Sequence, residues 1–199
     1  IRWQNTIYGG SGDLLFSIEQ TSDNGYILGG SSYSSKFGDK TEDNMGGNSN
    51  STTDYWVVKL DSVGNIKWQN TIGGDYYDDL RSIHQTNDGG FIGIGVSNSR
   101  ISGDKTERRS DVGNDLWIIK LDTTGSIIWQ KCFDIGGGGF AYINQTIDGN
   151  YIIGFGSENL PNNQNDKTSS SYGGTDYWIG KLIINPKYIT GNIYIDYNN

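Results

Sequence analysis

The chain has 199 residues, 30 of them glycine against two prolines, with 13% aromatics and a net charge of −8. That acidity excludes the basic footprint of a nucleic-acid binder and accords with simple solubility. No apolar run approaches the ~18 residues of a membrane-spanning helix, and the lone Cys132 leaves no intrachain disulfide.

Taken in order, Ile1-Arg2-Trp3-Gln4 already lies inside a recurring pattern. The start therefore reads as a fragment or mature boundary, and residues 1–7 as a strand. The second unit is the clearest. Residues 65–72 alternate apolar and polar about Trp68, as a half-buried strand does, and Gly73-Gly74 ends the run. Residues 80–86 make the next strand. Asn87-Asp88-Gly89-Gly90 supplies a tight turn that tolerates positive φ, and residues 91–97 follow as the third strand. A long polar loop, 98–114, leads to the strand 116–121, where Trp117 and Ile119 share a face suited to packing on a neighbouring unit. Asp122-Thr123-Thr124-Gly125 then turns into the next Trp-Gln strand. In the third unit, Asp134-Ile135-Gly136-Gly137 replaces the acidic loop, and Asn185-Pro186-Lys187 breaks the register. Residues 185–199 are expected to be a linker with an extra strand, or the start of a following domain. No stretch has a sustained 3.6-residue period, so no helix is expected.

The register is set by Asp54-Tyr55-Trp56, Asp115-Leu116-Trp117 and Asp176-Tyr177-Trp178, whose tryptophans stand 61 residues apart. A fixed period of this length marks a repeat architecture. The expected fold is all-β: a β-propeller-like repeat of four-stranded antiparallel blades, about three in this chain. It would span 1–184 in units of about 1–64, 65–125 and 126–184. Three blades are fewer than the four to eight of a closed ring. The chain is thus expected to be part of a larger protein, an open array with covered ends, or a set of blades offset from the repeat. In the offset case residues 1–7 would pair with residues 176–182.

Gly38-Asp39-Lys40-Thr41-Glu42, the run from Asp54-Tyr55-Trp56 to Ile72-Gly73-Gly74, and Gln85-Thr86-Asn87-Asp88-Gly89-Gly90-Phe91-Ile92 together resemble repeats abundant in secreted and surface proteins of Bacteroidota. The resemblance covers residues 1–182 and implies Kelch-like propeller repeats, a multidomain parent and export by the type IX secretion route. The tail Ile189-Thr190-Gly191-Asn192-Ile193-Tyr194 resembles the first strand of Cna-like or serine–aspartate adhesin B-type domains.

Candidate chemistry concentrates in the long loops. Asp39, Asp54, Asp104, Asp115, Asp166 and Asp176 offer the oxygens calcium needs, making calcium the one cofactor suggested. Against that, a Lys follows the first Asp each time, which suggests salt bridging, and a carboxylate before Tyr/Leu-Trp can accept backbone N–H groups. Asp78-Asp79 is the only paired-acid candidate for glycoside hydrolysis, yet adjacent strand residues point to opposite faces. Tyr76 and Tyr77 are loop aromatics able to stack on sugars. Asp61-Ser62-Val63 and Asp122-Thr123-Thr124 resemble the Bacteroidota O-glycosylation sequence, marking Ser62 and Thr123. Cys132 occupies the place of Thr71 and reads as a buried small side chain, while His84, aligned with Glu19 and Asn144, reads as a solvated strand position.

The functional expectation is a non-enzymatic repeat protein, secreted or on the cell surface, acting as adhesin, fibre or sheath component, or display scaffold. Its partners would be other surface proteins, glycans or copies of itself, with no nucleic acid and no membrane span. The alternative is a carbohydrate-binding module of a larger secreted protein.

Overall fold

A computed structural model describes residues 1–46, 51–108, 113–134, 139–157 and 173–184. Within them the chain is all-β, with no helix and so none long and apolar enough to cross a membrane. Sheet 1 contains β1 (Asp13–Gln20), β2 (Tyr26–Ser32), β3 (Asp54–Leu60) and β4 (Ile66–Ile72). Sheet 2 contains β5 (Asp78–Gln85), β6 (Phe91–Ser97), β7 (Asp115–Leu121) and β8 (Ile127–Asp134). Sheet 3 contains β9 (Ala141–Gln145), β10 (Tyr151–Ser157) and β11 (Asp176–Leu182). Every neighbouring pair is antiparallel and consecutive in sequence.

Two tight turns recur in sheets 1 and 2, and the first of them also in sheet 3. Between first and second strands, Asp23 and Asp88 accept hydrogen bonds from Thr21 and Thr86 and from the N–H of Gly25 and Gly90. Asn24, Gly89 and Gly149 take the left-handed position. The same aspartates receive the lysine of the Lys-Leu signature. Lys59 Nζ lies 2.9 Å from Asp23 and Lys120 Nζ 3.0 Å from Asp88, while Lys181 meets Asp148. The signature is thus a strand-to-turn tie, and hydrogen bonds from Thr21 and Lys59 hold the Asp23 carboxyl below its usual range.

The other turn shows how sheets join. Gly64 and Gly125 have φ of 89° and 90°, a conformation glycine adopts without steric cost. A Cβ at Gly125 would lie 2.7 Å from the Trp68 ring, and one at Gly64 would lie 2.7 Å from that of Trp3. Trp3 and Trp68 therefore each cover the turn of the sheet that follows them. Between sheets 1 and 2, Ile27, Tyr55 and Val57 pack against Leu80, Ile83, Trp117 and Ile119, all fully buried. Trp117 and Ile119 thus pack across units as their shared face requires. Between sheets 2 and 3, Leu116 and Ile118 pack against Ile143, Ile153 and Phe155.

The sheets are offset by one strand from sequence units of 1–64, 65–125 and 126–184. The Trp-Gln strand closes the preceding sheet, with β4 pairing β3 and β8 pairing β7. Residues 1–7, expected as a strand, are not one. They pair with no strand among the described residues, and an unpaired segment has no ladder to join. Nor do they pair with residues 176–182, since β11 pairs with β10 alone among the described residues. The predicted tail strand, 185–199, lies outside the described residues.

Candidate functional site

The long loops after β2 and β6 hold the densest polar chemistry. Each folds back through Gly-Asp-Lys-Thr-Glu along the outer edge of the fourth strand. Glu42 accepts the Thr71 N–H at 2.6 Å, and Glu107 accepts that of Cys132 at 3.1 Å. Gln69 and Gln130 donate to the carbonyls of Asp39 and Asp104 and accept from the N–H of Thr41 and Thr106. The same glutamine oxygens receive the indole N–H of Trp56 and Trp117, at 2.8 and 3.0 Å. An edge strand presents unpaired backbone groups that invite aggregation, and these loops occupy them.

The lysines of the motif are buried. Lys105 Nζ bonds Asp115 Oδ2 at 2.7 Å, Ser97 Oγ at 2.8 Å and the Ser99 carbonyl at 2.8 Å. Lys40 instead bonds the Glu42 carbonyl and Thr71 Oγ1, both at 2.7 Å. The expected salt bridging is present in the second unit. In the first, Asp54 accepts from the Met45 N–H at 2.5 Å, the backbone capping expected of a carboxylate at a strand start.

The calcium candidates are therefore dispersed among protein donors. Asp39 accepts from the Tyr8 N–H at 3.1 Å and Asp104 from the Gly73 N–H at 3.3 Å. Asp176 begins β11, half-buried, and Asp166 lies outside the described residues. No group of three or more His, Cys, Asp or Glu side chains stands together as a metal site among the described residues.

Asp78 and Asp79 diverge. Asp78 is fully buried, accepting from the Gly74 N–H at 2.7 Å and Ser99 Oγ at 2.8 Å, so no substrate reaches it. Asp79 binds Thr53 Oγ1 at 2.9 Å and Arg81 at 3.3 Å. Tyr76 and Tyr77 are exposed on the β4–β5 connection. Arg100 lies 5.6 Å from the Tyr76 ring centre and is itself held by Asp75. Ser62 and Thr123 sit exposed in the turns closed by Gly64 and Gly125.

Burial raises the Asp54 carboxyl to about 7 and that of Asp78 to about 6. Both lie above the ordinary value of 3.8, so the folded chain holds protons that the unfolded chain has released. This contribution to stability is complete below about pH 4 and is lost as pH rises through the folded values. Asp54→Asn removes one such proton. The urea midpoint, measured from pH 4 to pH 8, is expected to fall less steeply in that variant.

Two arrangements were not legible in sequence. Glu19 and His84 are in direct contact, Glu19 also accepts the Gln85 N–H at 3.1 Å, and Ser17 Oγ bonds the Ile83 backbone. His84 is thus half-buried and partnered, not a solvated position. The usable signal was that equivalent positions on successive first strands face one another. Cys132 is buried as expected, and burial pushes its thiol well up.

Fold and site together define an all-β stack of repeated antiparallel sheets whose recurring polar residues close turns, edges and sheet junctions. No known protein family matches the chain, and no curated protein does either.

Proposed function

We propose that this chain is a non-catalytic scaffold of the β-propeller type, a structural or adhesive part of a cell surface, acting through the surfaces that its stacked sheets present. The observation that supports this is the fate of the repeated residues. Trp-Gln, Gly-Asp-Lys-Thr-Glu and the Lys-Leu lysine are each engaged in packing, edge closure or turn anchoring. Repetition here serves stacking, as in architectures whose units bury their faces only against neighbours. The resemblance to Bacteroidota surface repeats agrees with an extracellular setting.

A second reading is favoured by Tyr76 and Tyr77, adjacent exposed aromatics with Arg100 beside the first ring. Such a pair suits stacking on a sugar. The two readings separate on a glycan array paired with a polysaccharide hydrolysis panel. The scaffold reading expects neither turnover nor saturable binding that depends on these tyrosines. Saturable binding abolished by Tyr76→Ala or Tyr77→Ala, with unchanged thermal melting, would replace it by a carbohydrate-binding module. Turnover lost in Asp79→Asn would replace both.

A further inference from the structure

The two ends of the stack are the two halves of one repeated junction. The positions that sheet 1 buries against sheet 2 are Ile27, Tyr55 and Val57, and sheet 2 buries Ile92, Leu116 and Ile118 against sheet 3. Strand pairing places their counterparts on sheet 3 at Ile152, Tyr177 and Ile179. These are 38%, 96% and 70% exposed. The opposite half behaves likewise. Leu80 and Ile83 of β5 are fully buried against sheet 1, whereas their counterparts on β1, Leu15 and Ile18, are 58% and 60% exposed. A groove on that face, between Ile7, Leu15, Leu28, Trp56 and Val58, encloses about 180 Å³. That is below the roughly 300–1,000 Å³ of a small-molecule pocket, and it suits side chains of a stacked sheet.

Residues 1–7 complete the correspondence. Trp3 meets Tyr26 at 5.6 Å and 63°, as Trp68 meets Phe91 at 5.6 Å and 66°. Asn5 Nδ2 donates to the Gly64 carbonyl at 3.0 Å, as Asn70 does to Gly125 at 2.8 Å. The Asp39 N–H reaches the Tyr8 carbonyl at 2.9 Å, as that of Asp104 reaches Gly73 at 2.8 Å. The segment is therefore seated as a fourth strand is seated on the next sheet, but pairs with no third strand. β11 is a third strand that pairs with no fourth among the described residues.

We propose that two copies of this chain associate head to tail, residues 1–7 of each adding to β11 of the other as the fourth strand of sheet 3. This rests on the reading of the chain as a stacking scaffold. The register follows from Tyr55 opposite Ile72 and Lys59 opposite Trp68: Tyr177 lies opposite Ile7, and Lys181 opposite Trp3. Gln4 then receives the Trp178 indole, as Gln69 and Gln130 receive Trp56 and Trp117. Ile152, Tyr177 and Ile179 cover Leu15 and Ile18 of the partner copy. A head-to-tail contact closes only when its rotation returns to the start. Two copies carry six sheets among their described residues, a number within the four to eight of closed rings.

Sedimentation velocity of the full chain over a hundredfold concentration range tests this. The expected result is a two-copy species. Ile179→Glu and Ile18→Glu should each raise the half-association concentration by roughly a hundredfold or more, because each buries an unpaired carboxylate in an apolar junction. Mixing the two variants leaves one unaltered junction per pair and should restore a two-copy species, which also shows that both variants fold. Four results would overturn the proposal: a wild-type chain that stays monomeric throughout, an Ile18→Glu variant that associates like wild type, a mixture that restores nothing, or an open ladder beyond two copies. A folded monomer that still lacks turnover and tyrosine-dependent glycan binding would sink the ring and leave the scaffold reading standing.

Discussion

Lys105→Ala is expected to lower the unfolding free energy by about 3–5 kcal/mol, the usual result of removing one partner of a buried ion pair. A fall in urea midpoint at unchanged slope reads it directly. Lys105 and Asp115 are fully enclosed, and the ammonium has three partners at 2.7–2.8 Å. Truncation takes the cation from the Asp115 carboxylate and the donor from Ser97 Oγ and the Ser99 carbonyl. It also opens a hole beside Trp117, whose ring centre lies 6.0 Å from the ammonium. Replacing both partners, in Lys105→Met with Asp115→Leu, should recover most of the loss, since a well-packed apolar pair is often neutral against a buried ion pair. Lys40→Ala provides the internal comparison. Its ammonium binds a carbonyl and a hydroxyl, and burial lowers the Lys40 pKa despite nearby carboxylates. Its direct partners are neutral and the carboxylates act only from beyond contact, so a smaller effect of about 1–3 kcal/mol is expected. Equal effects at the two lysines would mean that the Asp115 pairing contributes nothing specific.

The strands and turns were legible because both signals are local. Alternation about Trp68 and the Asn87-Asp88-Gly89-Gly90 turn recur in β4 and in the β5–β6 hairpin with little displacement. Sheet membership was not legible in the same way. A half-buried strand alternates identically whichever neighbour it joins, so residues 65–72 could be assigned to the preceding or the following sheet. The deciding feature is tertiary: Trp68 packs forward onto Phe91 and Gly125 while its backbone pairs backward with Lys59. Salt bridging by the lysine in Gly-Asp-Lys-Thr-Glu was legible, as Lys105 and Asp115 show, but its full burial was not. Its burial depends on a loop lying flat along an edge, which no local pattern encodes. The Glu19–His84 contact joins residues 65 apart in sequence. Only the repeat period, applied across sheets, brings such residues together.

The repeat tryptophans Trp117 and Trp178 should differ in a way that reports the state of the stack. Trp117→Ala is expected to cost about 3–5 kcal/mol, the range for deleting a large buried aromatic. Its ring is fully buried, 5.0 Å from that of Tyr55 on the neighbouring sheet, and its indole bonds Gln130. Trp178 holds the same register position on β11, packed on Phe155 at 4.9 Å but only partly buried. In an isolated chain Trp178→Ala should cost distinctly less, because among the described residues no glutamine stands where Gln130 does beside Trp117. Association changes that ranking. Once residues 1–7 of a second copy cover β11, Trp178 gains an acceptor in Gln4, and its removal weakens both folding and pairing. Any partner that binds only the folded form makes apparent stability depend on concentration. The wild-type urea midpoint should therefore rise with protein concentration, and the Trp178→Ala deficit should grow with it. The Trp117→Ala deficit belongs to a junction within one chain and should stay constant. Chemical denaturation of the three proteins at two widely separated concentrations makes the comparison. Parallel behaviour of the two variants would place Trp178 outside any contact between copies.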